Sequence, residues 1–102
     1  MSLKKAYVKN KPLCKVTFTI QKAAVGPSKK VNLVGEFNNW SISASPMKRN
    51  PNGSFSVSLD LQKGKEYQYR YLLDGVKWEN DWTADKYVSS GFPDTDNSVA
   101  VI

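Results

Sequence analysis

Across residues 54–61 every second residue is apolar: Phe55, Val57, Leu59 and Leu61 share one face of an extended chain, and Ser54, Ser56, Ser58 and Asp60 share the other. No helix can use that spacing, because its longer period would scatter the apolar residues around the axis. The same alternation returns in Val16, Phe18 and Ile20, and again in Tyr67, Tyr69, Tyr71 and Leu73, with Arg70 pointing the opposite way. Lys30-Val31-Asn32-Leu33-Val34-Gly35 and Ser98-Val99-Ala100-Val101-Ile102 read as further strands, and a short one is expected at 46–49. Turn-forming residues separate these runs: Gly26-Pro27-Ser28, Asn38-Asn39, Asn50-Pro51-Asn52-Gly53, Gln62-Lys63-Gly64-Lys65 and Asp74-Gly75. The polar stretch 79–96 reads as a long loop. Roughly six short strands with turn chemistry at almost every junction, and no helical period, make an all-β sandwich or small barrel.

At 102 residues the chain holds one domain, since each of two separate cores would be too small to remove enough apolar surface from water. Residues 1–12 are lysine-rich and are expected to form a flexible basic arm, leaving 13–102 as the folded domain. The arm has the charge of a signal peptide without the apolar stretch of roughly 7–15 residues that should come after it. Apolar runs such as Tyr71-Leu72-Leu73 fall far short of the about 20 residues a membrane-spanning helix needs. A cytoplasmic protein with no membrane partner is therefore expected. The single cysteine, Cys14, has no internal disulfide partner, suits a reducing compartment and is expected to lie buried in a strand.

The net charge of +6 would attract nucleic acid if it were concentrated on a binding face. Instead Lys4, Lys5, Lys9, Lys11 and Lys15 crowd into the first segment, and the later lysines are scattered among acids, as on a solvated surface. No nucleic acid partner is expected. The chain has no histidine, which removes every Ser-His-Asp, Cys-His and His-ligated metal arrangement, and one cysteine cannot build a thiolate cage. Glycine-rich phosphate loops are missing. Glu79, Asp81 and Asp85 lie close in sequence, as a glycosidase pair would, but such a pair must flank a bond inside a cleft. Loop acids on so small a domain are expected to be solvated or to cap turns. The chain reads as no enzyme, with no catalytic residue, no metal and no cofactor.

What the sequence does supply is aromatic surface. Trp40, Trp78 and Trp82 all fall in or beside expected turns, where an indole more often keeps a face free than it does in mid-strand. A glucose ring shows C–H bonds on its face and hydroxyls at its rim. An indole plane covers the first, while Arg, Lys, Asn and Thr side chains hydrogen-bond the second.

Four runs, Val34-Gly35-Glu36-Phe37-Asn38-Asn39-Trp40, Tyr67-Gln68-Tyr69-Arg70-Tyr71-Leu72-Leu73-Asp74-Gly75, Trp78-Glu79-Asn80-Asp81 and Thr95-Asp96-Asn97-Ser98-Val99, together resemble a family 48 carbohydrate-binding module. Such early-set domains stand at the N-terminus of isoamylases and glycogen branching enzymes, which are family 13 glycoside hydrolases, and form the glycogen-binding domain of the AMP-activated protein kinase β subunit. The resemblance spans residues 16–102 and implies an immunoglobulin-like β-sandwich of about seven antiparallel strands. It also implies that Trp40 and Trp78 are stacking platforms, that Arg70, Asn97 and Thr95 line the ligand, and that Phe92 stands where the family projects an apolar loop residue. Two features depart from the kinase-type pattern: Val76 and Lys77 separate Gly75 from Trp78 where one residue is usual, and Trp82 replaces a proline. One extra residue in a strand reverses the facing of every residue after it, so Trp78 points inward unless a bulge absorbs it, and Trp82 then takes over the stacking. Each role has a structural rival: Trp40 packed under its loop, and Arg70 paired with a carboxylate such as Asp60. Gly35, Asn38 and Asn39 read as turn builders, and the three tyrosines as sheet packing.

The resemblance implies a non-catalytic module that binds α-glucan, as polysaccharide or oligosaccharide, by tryptophan stacking, with a glucan-metabolising enzyme as a further partner. The alternative is an accessory protein-docking domain that has lost sugar binding.

Overall fold

The computed structural model describes residues 3–90 and 96–102. Strands β1 (Leu3–Tyr7), β2 (Leu13–Ile20), β5 (Phe55–Gln62) and β4 (Lys48–Arg49) form one antiparallel sheet in the order β1-β2-β5-β4. The second sheet runs β3 (Val31–Gly35), β6 (Glu66–Leu73), β9 (Asp96–Val101) and β8 (Lys86–Ser89), with β7 (Lys77–Glu79) pairing β6. Helical structure among the described residues is one turn, α1 (Lys22–Val25), and a 3-10 turn at Glu36–Asn38, and no helix is long and apolar enough to cross a membrane.

The alternating runs explain the sandwich. In the β2–β5 ladder Val16 stands opposite Leu59, Phe18 opposite Val57 and Ile20 opposite Phe55, so both strands turn their apolar rows to the same side. Val31, Leu33, Tyr69, Tyr71 and Leu73 close over them from the second sheet, and all five are buried. The Phe18 ring lies 5.0 Å from that of Tyr69, edge to face, and 5.4 Å from that of Phe37. Burying each such side chain stabilises the fold by about 1.5–3 kcal/mol. Cys14 is buried in β2 and carries no disulfide. Between β3 and β4 the chain changes sheets: the Leu33 N–H donates to Ser45 O at 2.9 Å and the Met47 N–H to Val31 O at 2.8 Å, before Arg49 pairs with Phe55.

Two polar segments form strands that the sequence pattern does not announce, and with β7 they carry the total past seven among the described residues. The expected loose arm at 1–12 is corrected over Leu3–Tyr7, which pairs with β2 from Leu3 opposite Phe18 to Tyr7 opposite Cys14. Lys5 Nζ reaches Asp85 Oδ2 at 2.7 Å, and the same oxygen accepts the Val101 N–H at 2.8 Å, so one carboxylate ties β1 to the end of β9. Lysine suits this strand because it is an edge, where charge discourages further pairing. The long loop expected at 79–96 is likewise interrupted by β8, whose pairing partner β9 lies downstream.

Candidate functional site

Strand alternation turns Gln68, Arg70 and Leu72 of β6 away from the core. The β3–β6 register sets Val34 opposite Arg70, and the β6–β9 register sets Val99 opposite Gln68. Val34, Leu72 and Val99 are buried yet stand outside the main core cluster, so they form an apolar floor on the outer face of the second sheet. On the same face, beside Gln68 and Arg70, opens a cavity of about 530 Å³, and Trp40, Arg70, Trp78 and Asn97 all line it. Four of the six residues singled out in the sequence therefore meet at one place. Phe92 and Thr95 lie outside the described residues.

Trp40 is carried there by the turn after β3. Asn38 Oδ1 accepts the Gly35 N–H at 3.1 Å, while Asn38 Nδ2 donates to Leu33 O at 2.9 Å and to Ser45 Oγ at 3.1 Å. Asn39 and Trp40 both adopt left-handed backbone, at φ 57° and 58°, and the Trp40 N–H closes the turn on Gly35 O at 2.8 Å. For a bulky residue that conformation costs about 1–3 kcal/mol, which the Asn38 bonds and the strand behind it offset. Trp40 keeps 39% of its surface exposed rather than packing under its loop.

Trp78 arrives by a different device. Asp74 and Gly75 take φ 51° and 72°, and the Val76 N–H donates to Leu73 O at 3.0 Å. The ladder then resumes with Lys77 opposite Leu73 and Trp78 opposite Leu72, which leaves Val76 outside it and 82% exposed. The extra residue is absorbed in the turn, so Trp78 shares the outward face of Leu72 and Arg70 with 44% of its surface open. Trp82 does not take its place. It donates Nε1–H to Glu79 Oε1 at 3.3 Å and borders a separate cavity of about 70 Å³ beside Thr19 and Gln21.

Polar groups in the cavity are notable for what they leave unpaired. Arg70 Nε is buried with no hydrogen-bond partner, and the guanidinium makes no ion pair among the described residues. The rival reading, a pairing with a carboxylate such as Asp60, does not hold for Asp60, which stands in the other sheet opposite Lys15. Asn97 Nδ2 donates to Gln68 Oε1 at 3.0 Å, which orients the amide. Glu36, Gln68 and Ser90 also line the cavity and were missed in the sequence. Gln68 had a signal, since it shares the face of Arg70 two residues away. Glu36 and Ser90 had none.

The three acids suggestive of hydrolysis have structural work. Asp81, at 2% exposure, is neither solvated nor merely a turn cap: its Oδ2 accepts the Tyr69 hydroxyl at 2.7 Å and the Tyr71 hydroxyl at 3.3 Å, and its Oδ1 accepts the Thr83 N–H at 3.0 Å. Burial above all, then Tyr71 and Asp81 for Tyr69 and Asp81 for Tyr71, pushes both hydroxyls well above the ordinary tyrosine range. Asp85 clasps Lys5 and β9, and Glu79 holds Trp82 and the Asn80 N–H. Of the three, only Asp81 lines either of the two cavities described above.

A family model described as the glycogen recognition site of AMP-activated protein kinase matches residues 18–98. The chain is 40% identical over 76 residues to the 5'-AMP-activated protein kinase subunit beta-1 of Sus scrofa, an overlap of 74% of this chain and 57% of that protein. For the Rattus norvegicus subunit beta-1 the values are 38% over 76 residues, covering 74% and 26%. Protein PTST homolog 2, chloroplastic, of Arabidopsis thaliana is 36% identical over 73 residues, covering 72% and 13%. The chain thus spans little more than half the length of the first relative and far less of the others. The matched segment runs from the middle of β2 into β9 and takes in both cavity tryptophans, Arg70 and Asn97, and the chain belongs to the family of the glycogen recognition site of AMP-activated protein kinase.

Proposed function

We propose that this chain is a non-catalytic module that binds α-glucan in the cavity on the outer face of the second sheet. The observation that carries the reading is the meeting of two half-exposed indoles, Trp40 and Trp78, with Arg70 and Asn97 around one open cavity. In this reading consecutive glucose units lay their C–H faces on the two indoles. Their rim hydroxyls exchange hydrogen bonds with the guanidinium and the Asn97 amide, and Thr95 and Phe92 contribute from the neighbouring segment. Arg70 supports it, since its guanidinium forms no ion pair among the described residues and its terminal N–H groups can donate to sugar hydroxyls. An open surface buries little of its ligand, so a single site binds in the micromolar to millimolar range, about 4–8 kcal/mol, and attachment to a polymer raises it by avidity.

The partner in this reading is glycogen or a starch-like glucan, and the module brings whatever it is joined to onto that polymer. A free, buried Cys14 fits a cytoplasmic setting. Retention on immobilised amylose tests the proposal: Trp40→Ala and Trp78→Ala are each expected to weaken it about tenfold or more, whereas Trp82→Ala leaves it unchanged. Equal retention of all three folded variants refutes the proposal and leaves protein docking as the role of this face. Binding to maltoheptaose should barely respond to salt, unlike binding to a polyanion.

A further inference from the structure

The cavity contains a charged group that the glucan reading does not use, the Glu36 carboxylate. Glu36 opens the 3-10 turn after β3, and its Oε1 accepts the Gln68 backbone N–H at 2.6 Å. That bond anchors the side chain at the cavity edge, and the second oxygen has no partner among the described residues. Gln68 and Arg70 are successive residues on one face of β6, so their Cα atoms stand roughly 7 Å apart, and Glu36 is pinned against the first of them. The Glu36 carboxylate and the Arg70 guanidinium line the same cavity without forming an ion pair.

A carboxylate can only accept hydrogen bonds and a guanidinium can only donate them. A ligand that fits between the two must offer a donor on one side and an acceptor on the other, a few ångströms apart. Two hydroxyls on neighbouring carbons of a sugar ring do so: one gives its proton to Glu36, and the oxygen of the other accepts from Arg70. Resting on the glucan reading, we propose that Glu36 is a further sugar-binding residue of this site, gripping with Arg70 the two ends of one vicinal diol. Gln68 is the positioning residue for both walls, since its backbone N–H holds Glu36 while its side-chain oxygen holds Asn97.

Glu36→Gln isolates the effect, because its amide oxygen can keep the bond to the Gln68 N–H while an NH2 donor replaces the free carboxylate oxygen. Titration with maltoheptaose is expected to show E36Q and R70Q each weakened about tenfold. Because one diol serves both residues, the double variant is expected to lose clearly less than the product of the single losses. In the wild-type protein the Glu36 carboxyl carbon signal should move on saturation together with the Trp40 and Trp78 indoles, a readout that needs no variant to fold. E36Q binding within twofold of wild type, losses that simply multiply, or a Glu36 signal that stays still while the indoles shift would each overturn the inference and leave the glucan site standing. Wild-type protein that binds no maltoheptaose overturns both.

Discussion

Gly35→Ala is expected to unfold this domain at markedly lower temperature although the substitution adds one methyl group. Gly35 has extended backbone at φ −171°, which any residue adopts, so space and not conformation is what excludes a side chain. A Cβ there would stand 2.6 Å from Gln68 O, 2.8 Å from the Phe37 ring and 2.8 Å from Tyr69 Cβ. Carbon contacts settle at roughly 3.5–4.0 Å, so about 1 Å must be found against each neighbour. The Phe37 ring can turn aside. The other two atoms belong to β6 itself, whose Tyr69 pairs with Gly35 and packs against Phe18. Overpacking of this kind costs typically about 1–3 kcal/mol, and with two immovable neighbours the upper end applies. In a domain of this size each kcal/mol shifts the melting temperature by about 4–8 °C, so G35A should melt roughly 12–24 °C below wild type by circular dichroism. Its urea midpoint should fall by about 1 M or more. The same glycine carbonyl accepts the Trp40 N–H, so amylose retention should decline with the displaced strand. A melting temperature within about 3 °C of wild type would refute the close-approach argument.

Replacing Arg70 by Leu should separate stability from binding: removing a buried, unpartnered Nε is expected to leave the fold as stable or about 1 kcal/mol more stable in urea, while maltoheptaose affinity falls. Loss of stability would mean the guanidinium is used within the fold. Tyr69 and Tyr71 keep their protons in the native state, whereas in the unfolded chain they ionise near pH 10. Their contribution is therefore intact below about pH 10 and declines as pH rises beyond it, by up to about 1.4 kcal/mol per unit for each residue. Absorbance titration should show these two hydroxyls ionising only as the fold is lost, and all five tyrosines titrating together with the fold intact would contradict it.

How much could be read in advance depends on the range of each interaction. The outward direction of Arg70 was legible because alternation on β6 is a local property, set by pleat geometry within a few residues. So was the turn at Asn38-Asn39, because the asparagine side chain bonds its own neighbouring backbone. Strand β1 was illegible, since Leu-Lys-Lys-Ala-Tyr has no alternation of its own and takes its conformation from the edge of β2. Asp81 looked like a surface acid because nothing near it in sequence announces Tyr69 and Tyr71, which reach it only through β6.

The amino-acid order alone determined the all-β class, the apolar rows of β2, β5 and β6, and the candidacy of Trp40, Arg70 and Trp78, because side-chain facing and turn chemistry depend on adjacent residues; Asn97 was marked by the family resemblance. Tertiary structure alone decided that Val76 steps out of its ladder so that Trp78, not Trp82, joins Trp40. It alone brought Glu36 and Ser90 to the same cavity. Those outcomes depend on strands that pair across tens of residues, where the energy of one register over another is set by the packed sheet and leaves no local mark in the chain.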